Sequence, residues 1–90
     1  MTNDKQVFLS NKYTKIYYLI TDKAKRRTPN TGEYYEKHHI IPKCLGGSND
    51  STNIVKLTAR EHFICHKLLI KMTEGKNKSK MSFAYKDRKS

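Results

Sequence analysis

From Glu36 to His66 the chain reads Glu36-Lys37-His38-His39-Ile40-Ile41-Pro42, then KCLGGSNDSTN over residues 43–53, then Ile54-Val55-Lys56-Leu57-Thr58-Ala59-Arg60-Glu61-His62-Phe63-Ile64-Cys65-His66. Thr58-Ala59-Arg60-Glu61 has the form of a capping box, in which Thr58 accepts from the Glu61 amide while the Glu61 side chain reaches back. A helix is expected from Ala59 to about Met72, stopping near Gly75. His62 and His66 are four residues apart on it, so both imidazoles project from one face, a standard way to present two nitrogens to one metal ion. His38 and His39 are neighbours in a segment that reads as a strand, so their side chains point to opposite faces. One of them can complete a metal site while the other stays available as a base, which is what hydrolysis needs.

Working outward, Glu33 to Ile41 is rich in Tyr, Ile and His and reads as a strand stopped by Pro42. Gly46-Gly47-Ser48-Asn49-Asp50 is a loop with strong turn chemistry, and Asn53 to Leu57 reads as a second strand. The two should pair as an antiparallel hairpin with a long loop. Within the second helix Ile64, Leu68 and Met72 form one apolar row beside Cys65 and Leu69. Upstream, residues 7–27 read as an amphipathic helix. Leu9, Tyr13, Ile16, Tyr17, Ile20 and Ala24 recur at steps of three and four, Ser10 or Asn11 is placed to cap the start, and Lys23 to Arg27 put cations at the negative end of its dipole. Thr28-Pro29-Asn30-Thr31-Gly32 then breaks the chain. Residues 73–90 are expected to form a short helix or a mobile basic tail. The fold class is therefore α+β, with one domain spanning 1–90: an N-terminal helix (7–27), a strand–strand–helix core (33–72) and a basic tail (73–90).

Nineteen Lys and Arg against eight Asp and Glu give a formal net charge of +11, spread along the whole length. Such a field suits a polyanion, most simply nucleic acid. Ninety residues, 36% of them hydrophobic, allow only a thin core, which a bound metal can supplement. Two cysteines, Cys44 and Cys65, are too few for a disulfide framework and lack CxxC spacing. Met1-Thr2-Asn3-Asp4-Lys5 shows no apolar signal segment and no apolar run is long enough to span a bilayer, so a reducing cytoplasmic setting without membrane contact is expected.

The order His38-His39, Asn53, His62, His66 has thirteen, eight and three residues between its members. With Gly46-Gly47-Ser48-Asn49 and Leu57 to Glu61, it resembles the HNH endonuclease family, whose core is a ββα-metal finger. The double His with a His-x3-His helix is similar to colicin-type nuclease domains; the surrounding wording is similar to HNH endonucleases of phages, including the homing type. The resemblance covers roughly residues 33–72. It implies His38, His62 and His66 as ligands of one divalent ion, leaving positions open for water and a phosphate oxygen. It implies His39 as the general base, Asn53 as the residue that ties the loop and orients His39, and Glu36 as support for an imidazole or a basic side chain. The activity implied is hydrolysis of DNA phosphodiester bonds, one strand per site, leaving a 5′-phosphate and a 3′-hydroxyl. A phage-encoded protein acting in the host cytoplasm is the matching setting. Three nitrogens favour Zn²⁺, Ni²⁺ or Co²⁺ by affinity, while Mg²⁺ or Mn²⁺ can serve catalysis. Lys23, Lys25, Arg26, Arg27, Lys56 and Arg60 are the candidate phosphate contacts. Cutting both strands would need a homodimer or two visits, and with no evident recognition domain after residue 75 the chain is expected to be a catalytic fragment, to cut with little specificity, or to rely on a targeting partner.

Plainer readings stand beside these. A solvated charged face explains Lys56 and Arg60 as well as phosphate contact does. Cys65 reads as a small buried hydrophobe rather than a ligand. Of Tyr13, Tyr17, Tyr18, Tyr34 and Tyr35, which offer rings for base stacking, the first two fit core packing better. Two rival functions remain: a zinc-stabilised DNA-binding module without catalysis, and a nuclease of low specificity that also acts on RNA.

Overall fold

A computed structural model describes residues 7–87. Helix α1 (Lys12–Arg26) is followed by strand β1 (Glu36–His39), strand β2 (Ile54–Leu57), helix α2 (Ala59–Lys71) and helix α3 (Gly75–Asp87). The class is α+β: a two-stranded antiparallel hairpin, α2 folded back against it, and α1 and α3 packed on α2. No helix among the described residues is long and apolar enough to cross a membrane.

α1 begins later than expected, because Asn11 caps it. Its side chain accepts from the Thr14 amide at 3.0 Å and donates to the Lys71 carbonyl at 3.2 Å. Residues 7–11 are not helical; Leu9 N–H instead donates to Met72 C=O at 2.7 Å, and Phe8 enters the core. The buried stripe of α1 is Tyr17, Thr21 and Ala24, while Ile16 and Leu19 face outward. The apolar arc in the sequence was wide enough to allow several orientations, and a polar contact of Tyr17, described below, selects one.

β1 is four residues long, not the nine expected, because only Glu36–His39 finds a partner. The register is Glu36 with Leu57, Lys37 with Lys56, His38 with Val55 and His39 with Ile54. Upstream, Glu33 N–H donates to Asn30 C=O in a turn where Gly32 has φ +88. The 43–53 connection contains two short 3-10 turns, Lys43–Leu45 and Ser51–Asn53, so Asn53 precedes β2 rather than opening it.

α2 starts at the expected capping box: Glu61 N–H donates to Thr58 Oγ1 at 3.1 Å and Thr58 N–H to Glu61 Oε1 at 3.0 Å. It buries His62, Cys65, His66, Leu68 and Leu69, with Met72 behind them. At 100° per residue these fill one arc with both histidines at its edge. Turning the histidines inward carries Ile64 past the opposite edge, where it is partly exposed instead of lying in the apolar row with Leu68 and Met72. The basic stretch after Gly75 is helical, anchored by Met81, which is buried against the core; residues 88–90 of the expected tail lie outside the described residues.

Candidate active site

β1 and α2 together set the histidines. Strand alternation puts Glu36 and His38 on the face toward α2 and Lys37 and His39 on the other, and burial follows: His38 is enclosed, His39 half-exposed. The first turn of α2 is held from outside by Arg27, whose guanidinium donates to both Glu61 oxygens at 3.0 and 2.8 Å and to the Lys56 carbonyl at 3.0 Å. The same contacts depress the Glu61 pKa and raise that of Arg27. His62 follows at once on this fixed turn, and His66 lies one turn later.

His38, His62 and His66, all buried, offer ring nitrogens that lie within 4.8 Å of one another. The Nε2 atoms of His62 and His66 are 3.2 Å apart. Two nitrogens each about 2.0–2.1 Å from a tetrahedral ion sit roughly 3.4 Å from each other, so this pair already has ligand spacing. Glu36 Oε1 accepts from His62 Nδ1 at 2.6 Å, which leaves the lone pair of that ring on Nε2, facing His66. Tyr34 O–H donates to the other carboxylate oxygen at 2.8 Å. His38 is held neutral, its pKa pushed down to about 3 by burial and then by His62, His66 and His39. Its Nδ1 is enclosed and has no hydrogen-bond partner. Three imidazoles converging in this way, with the Nδ1 of His38 unsatisfied, fit a borderline-soft divalent ion. A cleft of about 170 Å³ lined by Glu36, Ala59, His62, Phe63 and His66 opens beside them, large enough for a phosphate group and water at about 30 Å³ per water. Cys65 is not part of this donor set: burial pushes its thiol up to about 12.

Beyond His39 the loop is stapled by Asn53. Its Oδ1 accepts from Ile41 N–H at 2.9 Å, its Nδ2 donates to the carbonyls of Ile41 (3.0 Å) and Ser48 (2.9 Å), and its own carbonyl accepts from Ile40 N–H at 2.8 Å. Gly47 permits this crossing, since a Cβ there would lie 1.6 Å from Ile41 O. The His39 ring itself is met by Asn49, whose Oδ1 lies 2.9 Å from His39 Nε2. Asn53 ties the loop through side-chain-to-backbone bonds, as expected, while the side chain that touches the His39 ring is Asn49. His39 Nδ1 is enclosed and has no hydrogen-bond partner.

Over 60 residues, 67% of this chain, it is 55% identical to probable mobile endonuclease E of Enterobacteria phage T4, of which the match covers 42%. Probable mobile endonucleases D and B of the same phage are 54% and 46% identical over 63 residues, 67% of this chain and 24% of each relative. The chain is similar to phage proteins named as mobile endonucleases. It spans less than half the length of these relatives. No family model matches the chain, and no solved structure does so significantly.

The candidate phosphate contacts divide. Lys23, Lys25 and Arg26 are exposed at the end of α1, Lys56 is exposed on β2 and Arg60 in the first turn of α2. Arg27 is spoken for by Glu61 and Lys56, and its guanidinium also lies 5.3 Å from the Tyr35 ring centroid. Four residues were not assigned these places from sequence. Lys37 stands directly opposite Lys56, on the sheet face that carries His39, and its two-residue spacing from His39 was the available signal. Asn49, Tyr34 and Tyr17 reach their partners through the loop, the turn and the core, with no local pattern to mark them.

Proposed function

We propose that this chain is a nuclease domain of the HNH type, part or all of a metal-dependent endonuclease that hydrolyses DNA phosphodiester bonds. The observation that carries the reading is the convergence of His38, His62 and His66 on one point with His39 on the adjoining strand face. Similarity to the phage mobile endonucleases supports it independently.

In this reading His38, His62 and His66 hold one divalent ion, Zn²⁺, Ni²⁺, Mn²⁺ or Mg²⁺. When bound, the ion supplies Lewis acidity at the scissile phosphate and the departing 3′ oxygen. Glu36 holds His62 by its Nδ1–H and raises the basicity of the opposite nitrogen. His39 takes the proton of the attacking water. Its Nε2 is bonded to Asn49 Oδ1, which leaves Nδ1 as the proton-accepting nitrogen. Asn53 keeps the loop closed so that His39 stays registered against β2. Lys37 and Lys56, like charges directly across the hairpin, are costly unless a polyanion lies over them. With Lys23, Lys25, Arg26 and Arg60 they form the phosphate-contacting surface. One site per chain nicks one strand, leaving a 5′-phosphate and a 3′-hydroxyl; a double-strand break takes a second copy or two successive visits.

The test is a supercoiled-plasmid assay with Mg²⁺, Mn²⁺, Ni²⁺ and Zn²⁺ on wild type and His39→Ala. Wild type should convert plasmid to open circle, and His39→Ala should bind metal with near-wild-type affinity yet fail to nick. Metal binding without nicking by wild type sinks the enzyme reading in favour of a zinc-stabilised binding module. Equal cleavage of RNA marks a nuclease of low specificity.

A further inference from the structure

Helix α1 reaches the histidine cluster through Tyr17, a fully buried side chain with a polar tip. Its ring is explained by packing: it meets Phe8 at 5.7 Å, Tyr18 at 5.5 Å and His38 at 5.9 Å, all edge-on. The hydroxyl is not, since a phenylalanine would fill nearly the same space with no polar atom to satisfy. That hydroxyl lies 2.7 Å from His38 Nε2 and 2.6 Å from the Ile40 carbonyl oxygen. A phenol has one proton, and a carbonyl can only accept. The proton is therefore directed to Ile40, and toward His38 the phenol oxygen acts as acceptor. Nε2 must then carry the proton of the His38 ring, and the lone pair falls on Nδ1, the nitrogen that is enclosed and without a hydrogen-bond partner.

We infer that Tyr17 is a positioning residue that locks His38 in the Nε2–H tautomer and presents Nδ1 to the metal, making helix α1 part of the metal centre. Glu36 does the same for His62 with the nitrogens exchanged, accepting from Nδ1–H and leaving the lone pair on Nε2. A carbonyl–phenol–imidazole relay and a carboxylate–imidazole pair thus orient two of the three ligands from opposite sides. The inference rests on the metal site proposed above.

The test compares wild type, Tyr17→Phe and Tyr18→Phe by two measurements. Long-range ¹H–¹⁵N spectra of the metal-free protein, at a pH where imidazoles are neutral, report each histidine's tautomer. Competition titration with Co²⁺ reports affinity without any cleavage. Expected are an Nε2–H His38 in wild type and Tyr18→Phe, a shift toward Nδ1–H in Tyr17→Phe, and a 10- to 100-fold loss of Co²⁺ affinity in that variant alone. An Nδ1–H His38 in wild type, or a folded Tyr17→Phe that keeps both the tautomer and the affinity, overturns the assignment. If Tyr17→Phe fails to fold, the wild-type tautomer decides by itself. A wild type that binds no Co²⁺ refutes the metal site of the preceding section, and the wild-type tautomer again decides for Tyr17.

Discussion

Replacing Asn53 separates a structural staple from a merely polar loop residue. Asn53→Ala removes three side-chain hydrogen bonds, to the amide and carbonyl of Ile41 and the carbonyl of Ser48. Each contributes about 0.5–1.5 kcal/mol net, and Ser48 can recover water because it is exposed. The half-buried Ile41 groups recover less, so the sum is about 2–3 kcal/mol. For a chain of this size that lowers the melting temperature by roughly 8–24 °C. Asn53→Asp is the informative control. It keeps an acceptor for Ile41 N–H but turns a second oxygen toward two carbonyls, so it should destabilise at least as much as alanine above pH 5. Urea unfolding of metal-free protein measures both. The nicking assay should show a further loss, because the freed loop no longer holds His39 against β2. A change under about 0.5 kcal/mol in Asn53→Ala, or an Asn53→Asp protein as stable as wild type, refutes the staple.

Four further outcomes follow from the same contacts. Glu36→Gln keeps an acceptor for His62 Nδ1 and should weaken Zn²⁺ by about tenfold in a chelator competition, whereas Glu36→Ala should approach 100-fold. Asn49→Ala frees the His39 ring and should slow nicking by about tenfold or more while Co²⁺ affinity holds; unchanged nicking would remove Asn49 from the site. Gly47→Ala drives a Cβ into Ile41 O and should destabilise by about 1–3 kcal/mol or more, read from the urea midpoint. His38 is held neutral with a pKa near 3, below its unfolded value of about 6.5. The unfolded chain therefore binds the proton first: stability is complete above about pH 6.5 and falls as pH drops toward 3. The metal-free protein should lose roughly 3 kcal/mol by pH 4 through this group, seen as a shallower acid slope in His38→Asn.

Much of the core was legible because its signals are local. The Thr58–Glu61 capping box, the four-residue spacing of His62 and His66 and the alternation of His38 and His39 each depend on residues within one or two turns or pleats. Those periods are set by backbone geometry, so they survive without knowledge of partners. Asn53 reads in sequence as opening the second strand, and its loop-tying role comes only from the family resemblance, although its bonds to Ile41 and Ser48 stay within twelve positions. Length and rotation were less so. β1 is cut to four residues because a strand exists only where another strand lies beside it, and Ile16 and Ile64 turn outward because each helix obeys one dominant contact among several that its sequence allows.

The sequence by itself determined a basic α+β chain with four histidines arranged on a strand pair and a capped helix. Only the tertiary structure decided which nitrogen keeps the lone pair in two of those rings. That choice is made on the far side of the imidazole, by Tyr17 for His38 across 21 positions and by Glu36 for His62 across 26. A hydrogen bond to one ring nitrogen fixes the proton on that nitrogen and the lone pair on the other. Partners so distant in sequence leave no periodic trace. Packing decides it, because a buried phenol or carboxylate must find a partner wherever the fold places one.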